Sequence, residues 1–402
     1  MSDVIYKRHL PVPPLRLLMI AAGYKPSWVY GGPTISISTL SEALAANGLN
    51  VTVMTTNANG RNDFEYPSGT CKSIEGVEVR YYRRWYGDPM SISPAHTWAL
   101  IRNIRKYDLV HINGWWNWVA MLSLLICKIT GTPHVLTTRG ALSEYTFQTK
   151  RTGWVKNTMH HLLFKRMLAH TLLHVTSEEE ALKFKRVLPE TTVVVLPNII
   201  QLPQVQYHQA NVDMPLKLLF LGRIDPVKNL EMLVEALNQV NFRYILTIVG
   251  DGKSEYVESV LAKAKDVSAI QWVGPVYDDR KNQYLADADA LVLVSHSENF
   301  GNVVIEAMAQ STPVLLSRNV GLSEWVEQNG LGWVVSPDLE SLIAGLEAVN
   351  ADRKYLSDIR AHVLDQVHKD YAMSRLADRY INECYHLVNA DFYSRQTQLE
   401  TA

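Results

Sequence analysis

The sequence predicts an α/β protein of two Rossmann-like domains, and three observations carry that prediction. The chain has 402 residues, more than one ordinary hydrophobic core serves, so a division near the middle is expected. It also starts twice: "PLRLLMIAAG" (14 to 23) and "PLKLLFLGRI" (215 to 224) share the order Pro-Leu-basic-Leu-Leu, a short apolar run and a glycine. Each reads as a buried parallel strand opening a domain. Finally, apolar runs of strand length alternate with helical patterns through both halves, which implies parallel sheets covered by helices on both faces.

Taken in order, "TISISTLSEALAANG" (34 to 48) predicts a helix ending at Gly48 and "LNVTVMTT" (49 to 56) the next strand, one βαβ unit. Strands follow at "DLVHIN" (108 to 113), "HVLTTR" (134 to 139), "LLHVTS" (172 to 177) and "TVVVLPN" (192 to 198). The segment 199 to 215 is polar, proline-bearing and aperiodic, and suits a linker. In the second half "NLEMLVEALNQV" (229 to 240) predicts a helix and "YILTIVGDG" (244 to 252) a strand and turn. Further strands are expected at "AIQWVG" (269 to 274), "ALVLVS" (290 to 295) and "PVLLS" (313 to 317), with helices beyond about residue 355. The domains are therefore placed at residues 1–200 and 215–375, with 201–214 between them and 376–402 as a C-terminal helix and tail. Ligands bind beyond the carboxyl ends of strands in open α/β sheets, so the expected site is a cleft between the two domains.

Hydrophobic residues at 47% and charged residues at 20% fit a globular protein with large cores. Lys and Arg number 39 against 40 Asp and Glu, which gives nucleic-acid binding no support. Cys71, Cys127 and Cys384 are too scattered for a disulfide framework or a metal knuckle, and a reducing cytosol fits them. After Lys7 and Arg8 the apolar stretch is broken by Pro11, Pro13, Pro14 and Arg16, so no signal-peptide core forms. "WVAMLSLLIC" (118 to 127) is about half the roughly 20 residues a spanning helix needs. A cytoplasmic protein, soluble or peripheral on the inner membrane face, is expected.

Several nucleotide and metal signatures fail. "TIVGDGKS" (247 to 254) ends like a P-loop but has Thr247 where glycine is required. No G-x-G-x-x-G follows the first strand, which argues against a dehydrogenase. Asp287 and Asp289 precede a strand and read as helix capping or solvated acids rather than a metal pair. His160 and His161 are adjacent and face different sides of any helix, so they do not read as ligands of one metal.

Other patterns converge. In "LLFLGRIDPVKNLEMLVEAL" (218 to 237) Arg223 follows a strand at its carboxyl end and Lys228 sits at or just before a helix N-terminus. Two cations and free amides at one place can hold a pyrophosphate without a metal; pairing with surface acids is the plainer role. In "HSENFGNVVIEAMAQSTPV" (296 to 314) Glu298 falls in a loop, Gly301 permits a tight turn, and a helix from near Asn302 carries Glu306 in its second turn. Eight helical positions turn about 80°, so the two carboxylates sit at different depths and suit gripping the hydroxyls of two sugars. The amides of Phe300, Gly301 and Asn302 lie between them, and a salt bridge within the helix is the plain alternative for Glu306. In the first half Gly31 and Gly32 precede a helix and let a ligand approach the backbone. Asn113 and Arg139 close two strands, with Trp115, Trp116 and Trp118 beyond Asn113 either to stack on sugars or to pack a helix.

Together these residues resemble the retaining, GT-B fold glycosyltransferases of family 4, over nearly the whole chain: the Gly31-Gly32 loop, "GRIDPVKN", "VGDG", "QWVGPV", and most specifically the two glutamates with seven residues between them, Phe-Gly included. The resemblance implies a nucleotide-sugar donor with no metal required and a nucleotide-binding second domain. It also implies an acceptor-binding first domain, with the C-terminal helices returning to it. It implies that Arg223 and Lys228 bind the diphosphate and stabilise the leaving group. Glu306 would hold the ribose, Glu298 with Asn299, Phe300, Gly301 and Asn302 the transferred sugar, and Gly274 would lie near the base. Gly31 and Gly32 would lie on the donor side, and Asn113 and Arg139 on the acceptor or sugar side. Where many relatives carry a histidine, this chain has Arg139-Gly140-Ala141-Leu142, which looks like a branch that builds bacterial polysaccharides.

The implied activity is transfer of a hexose from a UDP- or GDP-sugar to a glycan acceptor, with a lipid-linked one favoured, in bacterial surface polysaccharide synthesis. The basic, partly amphipathic stretch 150 to 170 suits an anionic membrane surface or a solvated helix face. Two other functions fit the same architecture: a nucleotide-sugar 2-epimerase and a non-catalytic nucleotide-sugar binder.

Overall fold

The computed structural model describes residues 15–140, 165–168, 171–205, 213–276 and 278–388. The chain divides into two compact units, one of residues 1–199 with 373–402 and the other of residues 200–372. The basic stretch 150–170 (save 165–168), His160, His161, Ala141, Leu142 and the middle of the expected linker lie outside the described residues.

Among the described residues the first unit has eight strands: β1 (Arg16–Ala21), β2 (Asn50–Thr56), β3 (Thr70–Ile74), β4 (Val77–Tyr82), β5 (Leu109–Asn113), β6 (His134–Thr137), β7 (Leu172–Val175) and β8 (Val193–Val195). Their order across the sheet is β3-β4-β2-β1-β5-β6-β7-β8. Leu17, Leu18, Met19 and Ile20 are wholly buried, as a central strand covered on both faces requires. β1 pairs in parallel with β2 on one side and β5 on the other, so the chain reverses its winding between β1 and β5. Polar caps start the surrounding helices: Ser93 accepts from the His96 amide, Asn117 from Ala120 and Ser177 from Glu180.

One departure from the expected all-parallel sheet is β3, which pairs antiparallel with β4. The two-residue turn Glu75-Gly76 has φ of 48° and 80°, the paired left-handed conformation of a hairpin. The C-terminal helix Met373–Arg379 and the π-helical turn Tyr380–Tyr385 belong to this unit. The Tyr380 hydroxyl donates to the Pro197 carbonyl at 3.0 Å.

Among the described residues the second unit has six strands, all parallel: β9 (Leu216–Leu221), β10 (Tyr244–Val249), β11 (Ile270–Gly274), β12 (Ala290–Leu293), β13 (Val314–Ser317) and β14 (Gly332–Val335). The order β11-β10-β9-β12-β13-β14 again reverses at the centre, between β9 and β12. Leu218, Phe220, Ile248 and Val292 form the core with Leu233 and Leu346 of the covering helices. Asp289 corrects the expectation of a capping or solvated acid. It is buried, accepts the Lys217 amide at 3.0 Å and faces Arg353 at 3.6 Å and Arg360 at 3.9 Å. Its role is to anchor the start of β9 to the last helices of the unit. Among the described residues no helix is long and apolar enough to cross a membrane.

Candidate functional site

In each unit the expected residues lie at or beyond the carboxyl ends of the strands, most of them at the reversal, where an open α/β sheet parts to leave a crevice, with Arg139 after β6 and Gly274 at the end of β11 as the exceptions. In the second unit β9 ends at Leu221 and the chain turns through Gly222. A Cβ on Gly250 would lie 1.8 Å from the Gly222 carbonyl oxygen, so the ends of β9 and β10 touch as only glycine allows. The Ile224 amide then bonds the Asp251 carbonyl at 2.7 Å. Asp225 accepts the Val227 amide at 3.1 Å and closes the short turn Pro226–Lys228 before the helix Leu230–Leu237. That turn holds Lys228 at the strand end rather than on the helix.

The loop after β12 meets it. The His296 amide donates to the Val227 carbonyl at 2.8 Å, and the Lys228 ammonium bonds the Glu298 carboxylate. Glu298 is fixed from its other side, because its amide bonds the Asn319 carbonyl and its carbonyl accepts the Gly321 amide. Arg223, in the segment between β9 and the turn that carries Lys228, is exposed and, among the described residues, makes no ion pair. Gly301, at φ 86°, turns the chain into the helix Asn302–Met308. Asn299 and Asn302 flank that turn, while the Phe300 ring is buried against Tyr371, 6.3 Å between centroids. Phe300 therefore offers only its backbone to a ligand.

Glu306 accepts from the Lys281 ammonium at 2.9 Å. The pair joins two helices, Asp278–Asp287 and Asn302–Met308, and is not the salt bridge within one helix that was the plain alternative. Gly274 closes β11 with φ of 81° and open space where a Cβ would stand.

In the first unit Gly31, at φ 61°, also faces open space, and Gly32 begins the helix Gly32–Ala46 with Pro33 behind it. Arg139 lies two residues past β6 in a left-handed conformation, φ 52°, which is costly for a residue with a Cβ. Its guanidinium donates to Asn198 at 2.7 Å and to Asn113 at 2.8 Å. Burial pulls its pKa below the ordinary arginine value, against the attraction of Tyr380 and Glu180. The three tryptophans do not share a surface: Trp115 is core, and the Trp118 indole donates to the Thr97 hydroxyl at 3.1 Å.

Sequence reasoning missed a buried polar chain beneath Arg139. The His174 Nε2–H donates to the Leu196 carbonyl at 2.9 Å, so His174 Nδ1 accepts the Thr137 hydroxyl at 2.6 Å. That hydroxyl accepts the His111 Nε2–H at 2.7 Å, which leaves His111 Nδ1 to accept the Tyr385 hydroxyl at 2.9 Å. The Tyr380 oxygen, 3.1 Å from His174 Nε2, shares that proton with the Leu196 carbonyl; each ring has one tautomer, and both imidazoles are neutral. Burial pushes His174 down to about 3 and His111 well below its ordinary value. The chain ties the C-terminal turn to β5, β6 and β7, and so steadies Asn113 and Arg139 above it.

A cavity of about 850 Å³ opens among the loops that follow β1, β2 and β4. Its floor is Arg84, which donates to Asp63 at 2.8 Å, to Asp88 at 2.8 Å and to the Gly60 carbonyl at 2.7 Å. The Tyr30 hydroxyl donates to Asp88 at 2.6 Å and so joins the loop carrying Gly31 to the same clamp. Asn59, Arg61 and Asn62 line the rim.

Comparison with known proteins gives the class. Residues 206–363 match the family model of glycosyl transferases group 1 and residues 30–203 that of glycosyltransferase family 4. An uncharacterized glycosyltransferase of Methanocaldococcus jannaschii is 26% identical over 92% of this chain and 97% of its own. Sucrose-phosphate synthase from Thermosynechococcus elongatus superposes with a TM-score of 0.74 at 21% identity, over 94% of this chain and 100% of that one. Anabaena HepE in complex with UDP and glucose superposes with a TM-score of 0.68 at 16% identity, over 92% and 100%. The chain is a glycosyltransferase of the GT-B type. It carries a family 4 domain in its first half and a group 1 domain in its second.

Proposed function

We propose that the chain transfers a hexose, with retention, from a UDP- or GDP-sugar to a glycan acceptor, lipid-linked, in the building of a bacterial surface polysaccharide. The observation that carries the donor half is the Lys228–Glu298 pair at the β9–β12 reversal, with Arg223 exposed between β9 and Lys228. Negative charge grows on the departing diphosphate as the sugar becomes oxocarbenium-like. Cations already held in place stabilise that charge without reorganising. Lys228 and Arg223 take the diphosphate, Glu298 the hydroxyls of the transferred sugar together with the backbone of Asn299 to Asn302, and Glu306 the ribose. The base lies over the open side of Gly274, and no protein nucleophile or metal is assigned. HepE, of the same fold, is bound to UDP and glucose, which supports a nucleotide-sugar donor here.

The acceptor half falls to the first unit. Arg139, held at the strand ends by Asn113 and Asn198, stands on the acceptor or sugar side, the Arg84 cavity offers a polar rim to a sugar chain, and Gly31 and Gly32 remain on the donor side. A thermal-shift screen of UDP, GDP and their sugars tests the donor, because a ligand that binds only the folded protein raises its stability. Incubation with UDP-sugars alone separates a 2-epimerase, which needs no acceptor. No stabilisation by any nucleotide or nucleotide sugar refutes the assignment. Stabilisation without transfer across a broad acceptor panel favours a binder.

A further inference from the structure

Two neighbouring helices of the first unit leave an apolar face uncovered. Along Trp118–Thr130 the chain places Leu122, Leu125 and Ile129 at three- and four-residue spacing, one stripe of a helix. The opposite side of that helix is already in the core through Val119, Ala120, Leu124 and Cys127. Such a helix is apolar nearly all round, which a solvent-facing position does not explain. Leu125 is 40% exposed and Ile129 75%. The helix Pro94–Asn103 lies alongside, joined through the Trp118–Thr97 bond, and adds Trp98, 57% exposed, and Ile101, 50% exposed.

The charges that these two helices carry have one sign. The Arg102 guanidinium sits 4.5 Å from the centroid of the Trp98 ring, and Arg105 and Lys106 are exposed one turn further on. From residue 89 to residue 143 the sole acid is Asp108, and Arg16 neutralises it at 2.6 Å. A protein partner would require its own acids against these cations. A bilayer supplies anionic headgroups and hydrocarbon together, in the order the face presents them: cations and a tryptophan beside projecting aliphatic chains.

We propose that the face formed by Trp98, Ile101, Leu125 and Ile129, with Arg102, Arg105 and Lys106, docks the protein on an anionic lipid surface. The lipid-linked acceptor of the preceding reading gives this docking its purpose, but the measurement uses neither donor nor acceptor, so the two readings fail separately. The full chain is sedimented with phosphatidylcholine vesicles, with and without phosphatidylglycerol, at low and at high salt. Binding is expected to the anionic vesicles only, with release at high salt. The double variant Ile101→Asp with Ile129→Asp, and the triple variant Arg102→Ser, Arg105→Ser, Lys106→Ser, should each lose about tenfold or more in vesicle affinity, with unchanged melting temperature. Should the apolar double variant not fold, the exposed triple variant and Ile129→Ser alone decide. No sedimentation of the native chain with anionic vesicles at low salt overturns the proposal, as does binding that these variants leave unaltered. A dimer in solution that Ile129→Asp dissociates assigns the face instead to a second copy of the chain.

Discussion

The Lys228 ammonium bonds the Glu298 carboxylate across the point where the second sheet reverses its winding. One residue comes from the turn after β9 and the other from the loop after β12. The bond therefore spans the crevice where a donor diphosphate and its sugar would lie, and a bound donor would divide the pair between phosphate and hydroxyls. Lys228→Ala should cost about 1.5–3 kcal/mol of donor binding, the worth of a hydrogen bond to a charged group, or roughly 10- to 150-fold in kcat/KM. Steady-state kinetics with the preferred nucleotide sugar measures it. Unchanged kinetics in this variant would remove Lys228 from the site.

Glu306 and Lys281 make a test of a different kind, because their bond joins two helices and has a structural use of its own. If Glu306 grips the ribose, Glu306→Ala weakens nucleotide binding by about 1.5–3 kcal/mol. Lys281→Ala, which removes a partly exposed ion pair, should cost less than about 1 kcal/mol. Titration calorimetry with the nucleotide diphosphate compares them. Equal losses would reduce Glu306 to the partner of Lys281.

Strands with long apolar runs were legible because burial on both faces leaves one reading for segments such as Leu17 to Ile20. The glycines and the two glutamates were legible for a related reason: a strand end that must touch backbone or ligand restricts the residue types it accepts. The hairpin of β3 and β4 was not, since Thr70–Ile74 alternates exposed and half-buried residues and has no apolar run. Asp289 was misread as solvated because its two arginine partners are 64 and 71 residues away in sequence. The His111–Thr137–His174–Tyr385 chain was hidden likewise, with its donors spread over four elements that only the fold brings together.

Gly250 and Gly274 both have positive φ, yet they should respond differently to a methyl group. At Gly250 the added Cβ meets the Gly222 carbonyl 1.8 Å away, in a segment that also positions Arg223. Gly250→Ala should unfold the second unit or shift β9 against β10, and the variant should be largely insoluble. At Gly274 nothing stands within 4 Å, so Gly274→Ala bears only the strain of its φ, about 1–2 kcal/mol, and should fold. Melting temperatures of the pair decide. A Gly250→Ala protein as stable as the native one would contradict the close approach of the two strand ends.

Arg139 is held by two asparagines that each take one arm of its planar fork, Asn113 and Asn198. A lysine cannot make both bonds. Arg139→Lys should lower turnover by about tenfold or more while leaving the nucleotide-induced rise in melting temperature unchanged, because the residues given to the diphosphate and the ribose belong to the other unit. Asn198→Ala should act in the same direction and more weakly. A fall in nucleotide binding equal to the fall in turnover would place Arg139 on the donor instead.

The buried histidines set the acid limit of the fold. Burial lowers His174 to about 3 and His96 and His134 to about 4, and lowers His111 further than its ordinary range. In the unfolded chain each titrates near 6.5. Below that pH the unfolded state binds protons that the folded state refuses, so the stability these groups contribute is complete above about pH 6.5 and falls as the pH drops. Each loses about 1.4 kcal/mol per pH unit until its folded value is reached. Glu42 and Glu180, whose carboxyls burial raises, act in the opposite sense but are two against four. Urea unfolding should therefore show stability dropping steeply between pH 6.5 and 5 by these values. Tyr385→Phe, which strips the hydroxyl from His111 Nδ1, should cost about 1–3 kcal/mol at neutral pH. The same variant should flatten the acid slope, because a His111 with no donor on Nδ1 accepts a proton more readily. A stability that stays level through that window would mean the histidines titrate freely, and the single proton order of the chain would be wrong.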